Sequence, residues 1–229
     1  MRLATARRTI VLLLAASSAL VWLQQPAGAQ AAAPAANLVD QLVGPDTLAT
    51  DVDVAALRQQ VADRVQSKAE ANPLKRPPIA PQLLKLPQVT FDIVFDPDTP
   101  VIRPQSYATI GRIADAMADP KVRAYAYLVV DHTESTGRRA PNLTLSQRRA
   151  DAIRQILSGT FNISSKRLQS LGLGEEQLQD TAKPGSPANA RVQIVTIGLV
   201  PPPEPAPAAA ASSSAAPAKK KSSASSKRH

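Results

Sequence analysis

The stretch DHTESTG, Asp131–Gly137, sets two acids and a histidine directly after the apolar run YLVV, and Arg149 follows within the next amphipathic segment. Arg149 lies four residues after Leu145 and four before Ile153, so it shares their helical face, while Arg148 falls on another. An arginine near the start of an apolar face is costly to desolvate unless a carboxylate or an anionic ligand meets it. In a strand–loop–helix unit the loop after the strand comes close to the start of the helix. The loop would then supply acids, and the helix start a cation and free backbone N–H groups. Two outcomes are open: an internal salt bridge that fixes the loop, or a pocket for a zwitterion, in which the acid takes an ammonium and the arginine forks onto a carboxylate.

Other chemistries fit these residues poorly. The chain has no cysteine, and its two histidines are His132 and His229. Asp131, His132 and Glu134 could offer ligands to a metal, but neighbours along an extended segment point alternately and do not converge without a sharp turn. Ser135 beside His132 and an acid lacks the spacing that a nucleophilic relay needs. Asp96 and Asp98 suit a turn after a strand. The expectation is a binding protein, not an enzyme, with neither cofactor nor metal.

The elements that must hold this constellation follow from periodicity. VTFDIVF, residues 89–95, alternates like a strand, and DPDTP then breaks it. From Pro104 to Met117, Tyr107, Ile110, Ala114 and Met117 fall on one helical face, with Pro104 in the first turn. AYAYLVV, residues 124–130, is apolar enough to be a central strand. A helix is expected to start near Thr144 or Ser146, either a suitable cap, with Leu145, Ile153, Ile156 and Leu157 inward. Short strands near 168–171 and over 190–198 complete the order strand, helix, strand, helix, strand, strand. This predicts an α+β fold for residues 87–199: two layers, one mixed sheet with helices on one face.

The flanks differ in composition. Residues 1–29 carry Arg2, Arg7 and Arg8, an apolar run from Thr9 to Leu23 and a small-residue Ala27-Gly28-Ala29 site, the pattern of a signal peptide. The run is short against the roughly 17–25 apolar residues of a membrane span, so cleavage after Ala29 is expected, with an uncleaved anchor as the alternative. Within 30–86, Val54, Leu57, Val61 and Val65 recur at helical spacing between Asp51 and Lys68, with Thr50 or Asp51 as cap. That helix could dock a partner or pack on the main domain, and the prolines from Pro73 to Pro87 make an extended linker. Residues 200–229, rich in Pro, Ala and Ser, are expected to be disordered. The formal net charge of +9 is concentrated at the two ends, and the tail holds Lys219, Lys220, Lys221, Lys227 and Arg228. An exported chain does not meet chromosomal DNA, so this charge suits an anionic envelope surface or plain solvation, and no nucleic-acid partner is expected.

The chain from about Val89 to Ile197 resembles the OmpA-like peptidoglycan-binding domain family. The family signature GHTDxxG, NxxLSxxRA, NRRV reads here DHTESTG, NLTLSQRRA, NARVQI. Thr133, Gly137, Asn142, Leu145, Ser146, Arg149, Ala150, Asn189 and Arg191 match, as does the acid-to-arginine spacing. The resemblance implies that Glu134 and Arg149 clasp the ammonium and carboxylate of diaminopimelate in peptidoglycan stem peptides. Thr133 and Asn142 would hydrogen-bond nearby, and Asp98 would line the opposite wall. Three positions depart from the family: Glu134 replaces aspartate, Asp131 replaces glycine, and Ala190 replaces an arginine. The implied protein is a noncatalytic envelope component of a Gram-negative bacterium, periplasmic and associated with the wall or outer membrane. A second reading keeps the fold as an envelope interaction or assembly module that no longer binds peptidoglycan.

Overall fold

The computed structural model describes residues 35–46, 52–68 and 72–200. The leader and tail expectations concern residues outside these, as do Thr50 and Asp51. Four strands form one sheet: β1 (Gln88–Phe91), β2 (Tyr125–His132), β3 (Leu168–Gly174) and β4 (Arg191–Leu199), in the order β1-β4-β2-β3. β4 pairs antiparallel with β1 and β2, and β3 lies parallel to β2. The helices are α1 (Ala35–Leu42), α2 (Val54–Gln66), α3 (Tyr107–Ala118) and α4 (Arg139–Gly159). Residues 87–199 therefore have the expected α+β order with a mixed sheet.

All eight residues of β2 are buried, because both faces of the sheet are covered. On one face Tyr127, Val129, Val192 and Ile194 pack with Ile110, Ile113 and Met117 of α3, Ile153 and Leu157 of α4, and Leu38, Val39 and Leu42 of α1. On the other, Leu128, Val130, Leu171, Leu173, Val195 and Ile197 meet Val54, Leu57 and Val61 of α2 together with Ala80 and Leu83. The helices of residues 87–199 thus lie on one face, and α2 makes a third layer on the second. Asp53 caps α2, accepting from Ala55 N at 2.9 Å and Ala56 N at 3.0 Å. The proline-rich segment behaves less like a linker than its composition suggests. Two short 3-10 turns, Pro73–Lys75 and Pro81–Lys85, press Ala80 and Leu83 into the core under α2.

Several boundaries shift, each for a physical reason. β1 stops at Phe91, not residue 95, because Phe91 already pairs with Val192 near the start of β4, and residues 94–96 bond instead to residues 101–103. β2 continues through Asp131 and His132, which β4 and β3 both pair. α4 starts at Arg139, before the expected caps, since Pro141 in the first turn forfeits only a donor that has no partner there. Its buried stripe is Asn142, Ser146, Ala150, Ile153 and Leu157, which leaves Leu145 and Arg149 at the flank. Tyr107, expected inward on α3, is 46% exposed.

α4 lies close over β3 because Gly172 and Gly174 carry no side chain. A Cβ at Gly172 would collide with the backbone nitrogen of Gln147, and one at Gly174 would come within 2.9 Å of Leu143 N. The helix also satisfies donors of this edge strand. Gln147 Oε1 accepts from Gly172 N, and Ser146 Oγ from Gly174 N, both at 2.8 Å.

Candidate functional site

The end of β2 buries three polar residues. Asp131 is 2% exposed, and its Oδ2 has no hydrogen-bond partner among the described residues. Burial pushes its carboxyl well above the usual range, and the nearby charges of Arg149 and Arg191 oppose that shift. His132 bonds through Nε2 to Gln193 Oε1 at 2.8 Å, and the backbone of Gln177 also interacts with its ring. Burial lowers its pKa to about 3, with Arg191 adding to the shift, so it is neutral at physiological pH. Thr133 is buried, its Oγ1 has no hydrogen-bond partner among the described residues, and its N–H donates to Gly174 O at 2.9 Å. Among the described residues no group of three or more His, Asp or Glu could hold a metal ion.

Arg149 stands partly exposed, not on the buried face of α4. Its guanidinium lies 4.7 Å from the centroid of the Phe95 ring, and Nε donates to Thr99 O at 3.0 Å. These two contacts tie it to the loop after β1. Among the described residues no carboxylate comes within 4.0 Å of its nitrogens, so the salt bridge with Glu134 left open by the sequence does not form. The Nη atoms that would fork onto a carboxylate make no hydrogen bond within the described residues. Asp98, at φ +55° in the same loop, is exposed and pairs with Arg138 Nη2 at 3.4 Å, which sets the loop against the start of α4. The structure thus brings Arg149, the 95–99 loop and Asp98 together.

Glu134 is half-buried, and the loop carrying it is anchored from several directions. Ser135 N donates to Pro184 O at 2.9 Å. Asn142 Nδ2 donates to Glu175 Oε2 at 2.7 Å, to Thr136 Oγ1 at 3.0 Å and, longer, to Glu134 O at 3.4 Å. Asn142 is therefore bonded within the protein, where the resemblance had put it beside a ligand. Asn189 acts similarly one layer back. Its Oδ1 accepts from Gln179 N and Asp180 N, and its Nδ2 reaches the carbonyls of Asp180, Lys183 and Pro184. The motif residues thus divide: Asn142, Ser146 and Asn189 hold the backbone, while Glu134 and Arg149 remain without ion pairs among the described residues.

Sequence reasoning missed Phe95 and Thr99, the seat of Arg149, because Phe95 alternates like a core strand residue. It also missed Glu175 and Glu176. The paired acids after Gly172 and Gly174 were the one available signal, since acids beside a strand end need cations.

Residues 94–192 match the sequence model of the OmpA family. Outer membrane porin F of Pseudomonas fluorescens is 35% identical over 108 residues, 46% of this chain and 32% of that protein. A peptidoglycan-associated lipoprotein of Mesorhizobium japonicum is 35% identical over 85 residues, 37% of this chain and 49% of that one. The chain therefore spans 32% and 49% of the length of these two curated relatives. Among solved structures, the peptidoglycan-associated lipoprotein of Burkholderia pseudomallei aligns over 54% of this chain and 98% of its own, with 27% identity and a TM-score of 0.37. An outer membrane protein of Borrelia burgdorferi B31 aligns over 48% and 88%, with 29% identity and a TM-score of 0.40. No helix of the described residues is long and apolar enough to cross a membrane.

Proposed function

Because residues 94–192 form an OmpA-like domain, we propose that this chain is a noncatalytic, periplasmic component of a Gram-negative envelope that binds peptidoglycan through diaminopimelate. The observation that carries the proposal is Arg149, seated on Phe95 and Thr99, with no carboxylate within 4.0 Å of its nitrogens among the described residues. A fixed guanidinium of this kind takes a carboxylate in two parallel hydrogen bonds. Glu134 takes the ammonium of the same zwitterion, and Asp98 closes the far wall from the loop after β1. Thr133 and Asp131 offer buried, unpartnered oxygens beside the site, and Asn142 sets the loop that carries Glu134. A leader peptide over residues 1–29 would export the chain, and the basic tail over 200–229 suits an anionic envelope surface.

Sedimentation with purified peptidoglycan tests this directly. Wild type pellets and Arg149→Ala stays in the supernatant; equal pelleting of both would sink the proposal. Glu134→Asp restores the acid that the family motif carries. Sites of this kind tolerate about 0.5 Å of misplacement, so the variant should bind more tightly. Release of muropeptides on incubation would instead point to an enzyme.

One observation favours the second reading, an envelope interaction or assembly module without the ligand. Asp131 stands where the motif has glycine, and its charge couples to Arg149. If that acid neutralises the arginine, Asp131→Gly gains peptidoglycan binding that wild type lacks. If wild type already binds and Asp131→Gly changes nothing, the second reading fails.

A further inference from the structure

Four charged side chains meet behind the Glu134 loop, one of them from outside residues 87–199. Arg76, buried in the segment between α2 and β1, donates from Nη1 to Glu175 O at 2.7 Å. The same nitrogen lies 3.3 Å from Glu176 Oε1 and 3.6 Å from Glu175 Oε1. Arg139, at the start of α4, forks onto Glu176 with Nε to Oε1 at 2.8 Å and Nη2 to Oε2 at 2.7 Å. Glu175 and Glu176 are each 2% exposed. Two adjacent carboxylates at that depth repel each other and need both guanidinium groups. Arg139 takes both carboxylate oxygens of Glu176, while Arg76 shares one of them, faces the Glu175 carboxylate and holds the Glu175 carbonyl.

Glu175 leads on to the ligand loop. Its Oε2 accepts from Asn142 Nδ2 at 2.7 Å, and the same amide nitrogen serves Thr136 Oγ1 and Glu134 O. Thr136 Oγ1 in turn donates to Asn142 Oδ1 at 3.2 Å. An amide nitrogen has two hydrogens, so three acceptors must share them, and the orientation of Asn142 depends on where Glu175 stands. Charged hydrogen bonds are the strong ones, so Glu175 sets that orientation.

We infer that Arg76, in the segment ahead of the domain, is a positioning residue for the ligand site: it fixes Glu175, which through Asn142 fixes the backbone that carries Glu134. The inference rests on Glu134 being the ammonium contact. It makes the segment between α2 and β1 part of the binding apparatus.

The test uses the full chain and the soluble tripeptide L-Ala-γ-D-Glu-meso-diaminopimelate. Arg76→Gln removes the charge and keeps a donor for the Glu175 carbonyl. In ligand-free protein it should speed amide exchange at Ser135 about tenfold, with core amides of β4 unmoved. It should weaken tripeptide binding about tenfold, while Arg76→Lys, which keeps the charge, stays within about threefold. In a Glu134→Ala background Arg76→Gln should weaken binding no further. An equal loss with and without Glu134, or unchanged exchange at Ser135, overturns the inference. Asn142→Ala cuts the last link with the charges intact and serves if Arg76→Gln does not fold; unchanged Ser135 exchange there overturns the inference equally. If wild type does not bind the tripeptide, the ligand reading fails by itself, and the exchange measurements still decide whether Arg76 holds the loop.

Discussion

Arg76 and Arg149 are two guanidinium groups that the fold treats in opposite ways. Arg76 is buried among two carboxylates and a carbonyl, with its charge met inside the protein. Arg149 is partly exposed, propped by a ring and one carbonyl, with no acid within 4.0 Å among the described residues. The difference shows how one side-chain type serves two ends. A cation closed off by acids holds the scaffold, and a cation held in place without them keeps its charge for something else. Asn142, bonded to Glu175, and Arg149, seated on Phe95, stand on the same helix.

The sharpest way to break the comparison is to remove each arginine and measure stability. Arg76→Ala leaves two buried acids to one remaining guanidinium and should lower the free energy of unfolding by about 3–5 kcal/mol in urea denaturation. A loss below about 1 kcal/mol would make the two arginines alike in stability terms.

The next effect is one of pH, at the end of β2. His132 has a folded pKa of about 3 against an ordinary 6.5, so its contribution is complete above pH 6.5 and is lost as pH falls towards 3. Asp131 works the other way. Its folded pKa is raised above the ordinary 3.8, so stability is greatest below that value and falls as pH rises towards the folded pKa. The advantage of wild type over His132→Asn should therefore shrink on acidification, by at most about 1.4 kcal/mol per pH unit. Asp131→Asn should gain on wild type as pH rises above 3.8. A pH series of denaturation curves reads both.

Gly172→Ala pushes against the helix that carries both Asn142 and Arg149, and should cost about 1–3 kcal/mol by the same measurement. The smallest effect belongs to Arg149→Ala. Losing its contact with Phe95 should change stability by about 0.5–1 kcal/mol while abolishing peptidoglycan pelleting. Large destabilisation there would mean that Arg149 too is scaffold.

Much of this frame was legible in the sequence. Alternation in VTFDIVF and ARVQIVTIG, and the unbroken run before Asp131, located three strands of the sheet. The apolar run of β2 also marked it as a central strand, though helices were expected on one face of the sheet and α2 covers the other. What was hidden depended on distant partners. Asp131 and His132 read as turn residues because they are polar, yet both are paired in β2. The face of Arg149 was misjudged because helical spacing cannot say which of two neighbouring stripes is buried. The Asn142 stripe won, because two glycines of β3 let α4 settle there. Arg76 and Glu175 belong to segments that no local pattern connects.

The order of the sheet also dictates when this protein can fold. β4 lies between β1 and β2 although it is the last strand among the described residues, and Gln88 pairs with Val195. During synthesis, which proceeds from the N-terminus, β2, α4 and β3 can associate as a local unit as soon as they exist. β1 cannot. It must wait, with its backbone groups unmatched, until the final strand is made and slides in beside it.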